Sequence, residues 1–308
     1  MFKHILVPVD GSEMAEAALP AAAYLAEKLD ARITLMHVIE KNAPSEVHGQ
    51  RHLHSASEAA AYLKQMARRH FPAHLSVDCH VHTAEVDNVA ASIVAHANEL
   101  SHDLVVMCSH GRGAALHLLL GCIAQRVIGL DSRPVLITHP NEAGKAPSFS
   151  CRHILVPLDG EPEHAQALPE SKALARACAA TLHILTVIPN LATLSGDGAM
   201  ASRVLPGTTS RLLDFSTQDA EKYLDPLAEQ LTAEGFEASA HVLRGDPAKV
   251  IIDAALNAQI DLIVLATHGK SGMDAFWAGS VAHKICSQSK VPLLLIPVKV
   301  DRSKATGI

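Results

Sequence analysis

The sequence predicts two tandem α/β domains, each built on a doubly wound parallel sheet. Three observations carry that prediction. First, the chain repeats itself: KHILVPVDGSE at 3–13 returns as RHILVPLDGEP at 152–162, and DLVVMCSHGRG at 103–113 returns as DLIVLATHGKS at 261–271. A duplication over so long a period makes each half one structural unit. Second, short β-type runs alternate with longer amphipathic stretches, the order that builds a parallel sheet through right-handed crossovers. Third, those runs are near-continuous Val, Ile and Leu, as expected when helices cover both faces.

In chain order, the first half has strand patterns at 4–9, 32–39, 75–82, 103–108 and 134–138, with helical patterns at 13–29, 57–70, 86–99 and 121–130. The second half has strands at 153–158, 181–188, 237–243, 261–266 and 292–298, and helices at 162–179, 216–234, 246–257 and 279–288. The first repeated pair is displaced by 149 positions and the second by 158, so the second half holds nine extra residues. They fall after its second strand, where 189–215 outgrows 40–56. Rich in Pro, Gly, Ser and Thr, that stretch reads as a surface loop able to fold over a ligand. Domains are expected at 1–140 and 152–300, joined by a linker at 141–151 where Pro, Gly and Ser interrupt all periodicity. Residues 301–308 read as a frayed tail.

Composition narrows the function classes. The 308 residues are 48% hydrophobic and 19% charged but only 3% aromatic, which suits two aliphatic cores. A net charge of −6, with no basic patch interleaved with aromatics, argues against nucleic acid as a partner. The N-terminal apolar run Ile5–Val7 stops at Pro8, too short for a signal peptide, and no stretch reaches the ~18 apolar residues of a membrane span. The six cysteines show no CxxC spacing and do not repeat between halves, so they read as reduced thiols of a cytoplasmic protein. His48, His52 and His54 cluster, and His80 and His82 share one strand face. Neither group has a Cys or carboxylate set at structural-zinc spacing, so no metal is expected.

Ligands of an open parallel sheet bind beyond the carboxyl ends of its strands. Two segments per half end strands there. One is Pro157-Leu158-Asp159-Gly160, mirrored by the turn at Asp10; the alternative for both aspartates is to cap the following helix. The other is the turn Thr267-His268-Gly269-Lys270, mirrored by Ser109-His110-Gly111-Arg112. Nine residues separate its first glycine from a second, Gly279 or Gly121, at a helix start. Amides there, the Ser280 hydroxyl, and Lys270 or Arg112 suit a phosphate. Neither a Walker A loop nor a GxGxxG fingerprint is present.

On these residues both halves resemble the universal stress protein family. The resemblance covers 3–138 and 152–298. It rests on ILVPVDGSE/ILVPLDGEP, on RGDPAKVI at 244–251, and on Ala266-x2-Gly269-x9-Gly279-Ser280. It implies five-stranded, Rossmann-like domains of order 3-2-1-4-5 whose fifth strands, PVLIT and PLLLIPV, meet as a pseudo-dimer. It also implies ATP or another adenine nucleotide as cofactor, with or without Mg²⁺. By resemblance, Asp159 beside Pro157 faces adenine and Val187 touches the base. Ala266, His268, Gly269 and Lys270 lie near ribose and phosphates, and Gly279, Ser280 and Val281 cradle the phosphates. The matching first-half positions are Asp10, Val38, Cys108, Gly111, Arg112, Gly121, Cys122 and Ile123.

The halves are unequal copies. Cys122 replaces the phosphate-facing Ser, and a thiol is a poor donor beside a hydroxyl. Cys108 is bulkier than Ala266. A helix N-terminus also lowers a thiol pKa, which makes Cys122 a candidate redox-sensitive cysteine. The resemblance therefore implies a cytoplasmic stress-response sensor or adaptor, with nucleotide chiefly in the second domain and a homodimer of two-domain chains as a further partner. The alternatives are a ligand-free interaction scaffold and a slow ATPase; no catalytic residue is assigned.

Overall fold

The structure, a computed structural model, describes residues 1–43, 46–47, 50–51, 53–109, 120–141, 146–194, 196–268 and 281–298. The chain divides into two compact units. One comprises Met1–Ser150 together with His268–Met273 and Pro292–Pro297, and the other begins at Cys151.

The first unit opens with β1 (His4–Pro8), a 3₁₀ turn (Ala15–Ala18), α1 (Leu19–Leu29) and β2 (Arg32–Glu40). A two-residue ladder follows, β3 (Glu46–Val47) with β4 (Gln50–Arg51). The unit continues through α2 (Ala56–His70), β5 (Val77–Val86), α3 (Val89–Glu99), β6 (Leu104–Cys108), α4 (Cys122–Leu130) and β7 (Val135–Thr138). The second unit holds β8 (His153–Pro157), a 3₁₀ turn (His164–Gln166), α5 (Ala167–Cys178), β9 (Thr181–Ile188), α6 (Gly196–Val204), α7 (Pro206–Ala233), β10 (Ala238–Arg244), α8 (Pro247–Asn257), β11 (Leu262–His268) and α9 (Val281–Gln288). The last strand is β12 (Leu293–Val298).

In the first unit the sheet runs β5–β2–β1–β6–β7–β12, parallel throughout except for the last pair. There Val135, Leu136 and Ile137 of β7 lie antiparallel to Leu295, Leu294 and Leu293 of β12. In the second unit the order is β10–β9–β8–β11, all parallel. The two aliphatic cores follow from the composition. Ile5, Leu6, Val7, Ile33 and Leu35 are fully buried in one; Ile154, Val156, Leu182 and Ile184 in the other.

A duplicated device sets the register at the head of each sheet. Asp103 accepts from the amides of Lys3 (2.7 Å) and His4 (3.0 Å). Asp261 does the same for Arg152 (2.7 Å) and His153 (3.0 Å). Each aspartate thereby satisfies two amides where the first strand begins, before ladder partners are available.

Two expectations need correction. The strand placed at 75–82 runs from Val77 through Val86, so the helix expected from 86 begins only at Val89, with Asn88 accepting from the Ala91 amide. More important, 189–215 is largely helical rather than a loop: it contains α6, and α7 starts at Pro206 instead of 216. Pro206 sits at the first helical turn, where its missing N–H costs nothing. Hydroxyls that read as loop formers bond back about one turn instead: Ser202 to the Ala199 carbonyl and Thr209 to the Leu205 carbonyl. Thr209, Leu213, Leu224 and Leu231 supply the buried stripe.

Candidate nucleotide site

The candidate site of the second domain lies where strand order reverses, beside β8. Register Pro157↔Leu185 on one side and Ile154↔Leu262 on the other brings Val187 and Ala266 level with the Leu158–Asp159 turn. Five sequence-derived positions, Pro157, Asp159, Val187, Ala266 and Val281, are therefore at strand carboxyl ends or, for Val281, at the first residue of α9. Gly269, Lys270, Gly279 and Ser280 lie outside the described residues, as does the His268 side chain.

The turn itself is held by side chains. Thr186 Oγ1 donates to the Leu158 carbonyl at 2.8 Å, locking β9 beneath it. Asp159 Oδ1 accepts from the Glu161 amide at 3.1 Å, and Oδ2 pairs with His164 Nδ1 at 2.5 Å. Gly160 takes φ +87°, which a side chain rarely adopts. A carboxylate offers about four lone-pair sites, so two remain to accept from a ligand amine. Tyr223 of α7 lies close by: burial, and then the charge of Asp159, raise its phenol pKa.

The first domain places Asp10, Val38 and Cys108 at equivalent strand ends, by register Pro8↔Met36 and Ile5↔Leu104. Here His37 Nδ1 donates to the Val9 carbonyl at 2.8 Å, the task Thr186 performs in the other copy. Asp10 Oδ1 accepts from the Ser12 amide (2.9 Å) and hydroxyl (2.6 Å). Neither aspartate caps a helix. Each closes a local turn, and in the first copy Ser12 Oγ also accepts from the Ala15 amide at 3.2 Å. Gly111 and Arg112 are outside the described residues. Gly121 precedes α4, whose first residues are exposed Cys122 and half-buried Ile123. Its amide already donates to the Ser109 carbonyl at 2.6 Å.

Sequence reading missed two groups that the fold brings here. In the first domain Glu16 receives the Tyr62 hydroxyl at 3.2 Å, stands 4.0 Å from His70 Nε2, and has its carboxyl pKa raised chiefly by burial. In the second, Ala165 occupies that position and His164 beside it holds Asp159. The available signal was the repeated Tyr-Leu of Tyr62 and Tyr223, one on α2 and one on α7.

Near the ends of β9 and β10, α7 and the residues after β9 border an open surface pocket of about 420 Å³ lined by Asn190, Leu191, Ala192, Ser210, Leu213 and Arg244. Arg244 Nη1 donates to Asp214 Oδ1 at 2.7 Å. Gly245 follows at φ +148°, and a Cβ there would meet Val250 Cγ2 at 2.8 Å. Among the described residues no three His, Cys, Asp or Glu side chains are grouped to hold a metal ion, and no helix is long and apolar enough to cross a membrane. His48 and His52 fall outside the described residues.

Fold and strand-end turns together define a tandem α/β protein of the open, mostly parallel-sheet class. The chain belongs to the universal stress protein family, whose profile matches residues 1–139 and again 150–297. It is 25% identical over 311 residues to a universal stress protein of Mycolicibacterium smegmatis, covering 95% of this chain and 96% of that one. A Mycobacterium tuberculosis universal stress protein is 25% identical over 307 residues, covering 94% and 96%. The crystal structure of an Archaeoglobus fulgidus universal stress protein superposes with a TM-score of 0.65 at 20% identity, covering 96% of this chain and 98% of its own. That last likeness concerns the fold.

Proposed function

We propose that the second domain binds an adenine nucleotide, ATP, ADP or AMP, and that the chain acts in the cytoplasm as a stress-response sensor or adaptor. The observation that carries this reading is the different partner each domain gives its strand-end aspartate, Ser12 for Asp10 and His164 for Asp159. In the first domain Asp10 lies near a second carboxylate, Glu16, whose pKa is raised first by burial and, to a lesser degree, by Glu13 and Asp10. In the second domain Ala165 stands at the Glu16 position, with Glu161 and Glu163 still in the turn. There an imidazole holds Asp159 through Oδ2, and the aspartate keeps acceptor capacity for an adenine amine.

Two further features support the same assignment. The Gly121 amide already donates to the Ser109 carbonyl, so it is not offered to a ligand at that helix start. Ser280 supplies a hydroxyl where the first copy has a thiol. Residues that would hold the nucleotide are Pro157, Asp159, Val187 and Ala266 at strand ends, His268, Gly269 and Lys270 after β11, and Gly279, Ser280 and Val281 where α9 begins. One solved universal stress protein is a complex with cAMP; the reading for this chain stands on its own residues. In this role binding is the output, with bound nucleotide setting the state that a partner reads. The first-domain positions serve folding in this reading, and self-association of the two-domain chain belongs to the same proposal.

The test is to denature freshly purified protein and quantify the released small molecules by mass spectrometry. One adenine nucleotide per chain is expected. Two per chain would remove the asymmetry, and an empty protein that also fails to bind added ATP in calorimetry would leave a ligand-free scaffold as the better reading.

A further inference from the structure

The second domain contains a pair of cysteines that the first does not. Cys151 is fully buried at the entry to β8, and Cys178 is buried at the last residue of α5. They are 27 positions apart in sequence, yet the backbone brings them together. His153 pairs with Thr181 in the parallel ladder, and the Thr181 amide donates to the Arg152 carbonyl at 2.8 Å. The two thiols hydrogen-bond each other, and no bridge joins them in this structure.

The first domain supplies the comparison. Its equivalent backbone bond runs from the Arg32 amide to the Lys3 carbonyl at 2.9 Å, so Phe2 and Leu29 occupy the positions of Cys151 and Cys178. Both are buried. An apolar pair in one copy is thus a cysteine pair in the other, with both members changed. Cysteine packs well as a small apolar residue, but packing alone does not require both positions to hold sulfur in contact.

We propose that Cys151 and Cys178 are a redox-modification site, forming a reversible disulfide when the protein meets a hydroperoxide. Cys178 is the entry point. It ends a helix and precedes Ala179, whose left-handed backbone (φ +50°) closes α5, so fraying of one helical turn exposes its sulfur. As the thiolate it attacks the distal peroxide oxygen. The O–O bond breaks, the leaving alkoxide takes a proton to become an alcohol, and Cys178 becomes a sulfenic acid. The Cys151 sulfur then displaces the sulfenic hydroxyl as water. Two thiols and one hydroperoxide give one disulfide, one alcohol and one water, with two electrons passing from sulfur to oxygen. Cys151 is suited to resolve rather than attack first, because its hydrogen bond to Cys178 and its burial both push its thiol pKa up.

The bridge would close a loop containing β8, the Asp159–His164 turn and α5, which predicts stabilisation of the second domain on oxidation. The test uses the full chain with hydrogen peroxide as probe. Remaining thiols are alkylated after unfolding, and unreduced peptides are mapped by mass spectrometry. A Cys151–Cys178 peptide is expected, lost on dithiothreitol treatment, while equally buried Cys286 on α9 stays alkylatable. The oxidised protein should melt higher by about 5–10 °C.

The double variant Cys151→Phe, Cys178→Leu restores the pair the first domain folds with, and it should melt at the same temperature before and after peroxide. The proposal is overturned if Cys151 and Cys178 remain alkylatable at doses that fully oxidise exposed Cys79 and Cys122. It is equally overturned if the double variant keeps the oxidative shift.

Discussion

The same buried carbonyl is satisfied by an imidazole in one domain and by a hydroxyl in the other. His37 Nδ1 reaches the Val9 carbonyl, and Thr186 Oγ1 reaches the Leu158 carbonyl, both at 2.8 Å. Side chains of different size and chemistry perform one task because an unpaired carbonyl under the strand-end turn is costly whatever pairs with it. Around that shared frame the two copies differ in kind. The first gathers Asp10, Glu16, Tyr62 and His70, whereas the second ties Asp159 to His164 and lays Tyr223 nearby. Duplication has kept the groups that satisfy backbone and register, including Asp103 and Asp261, and has let the groups around the strand-end aspartates diverge.

The largest effect that tests this contrast is at the helix-start glycines. Gly279→Val should lower nucleotide affinity roughly 100-fold or more, while Gly121→Val changes it less than about twofold. Calorimetric titration of both variants decides the matter, and the opposite ranking would place the nucleotide in the first domain.

Acid should separate the domains next. His102 is buried in the first domain where the second has Ile260. Burial, then the neighbouring charges of His4 and Arg133, lower its pKa to about 4. A folded-state pKa below the unfolded value means that the folded form binds fewer protons. Its contribution is therefore intact above pH 6.5 and is lost as pH falls from 6.5 toward 4, by up to about 3 kcal/mol. Chemical denaturation across this range should show the first domain weakening, and His102→Ile should flatten the slope. An unchanged slope in the variant would move the effect to His4 or His80, whose pKa values burial also lowers.

A backbone comparison comes third. Gly245 is required by its φ of +148° and by the Val250 methyl that a Cβ would strike at 2.8 Å, while its first-domain counterpart is Asp87. Gly245→Ala should destabilise the second domain by about 2 kcal/mol, and Asp87→Ala should cost well under about 1 kcal/mol. Urea midpoints of the two variants measure the difference.

The smallest effect concerns the left-handed residue that ends the first helix of each copy, Asp30 (φ +50°) and Ala179 (φ +50°). Aspartate tolerates that conformation better than alanine. Ala179→Gly should therefore stabilise the second domain by about 0.5–1 kcal/mol, with less gain from Asp30→Gly. Equal shifts in melting temperature for the two would show that the aspartate gains nothing from its side chain.

By itself, the sequence determined the duplication, the alternation of strand and helix, and the family. These rest on local signals: apolar runs with strand length, turn glycines, and motifs that recur at a set spacing. It also located the strand-end aspartates, since Asp10 and Asp159 follow apolar runs directly. What those aspartates do was not legible, because an Asx turn and a helix cap have the same composition and differ only in which amide comes within reach. Residues 189–215 misled for a related reason: Thr and Ser favour loops until their hydroxyls bond back to the preceding turn and a buried stripe holds the helix.

Only the tertiary structure decided which distant groups meet. Glu16 at Tyr62 and Cys151 against Cys178 both depend on strand register and helix placement. No periodicity encodes such meetings, because each is set by packing between segments tens of residues apart.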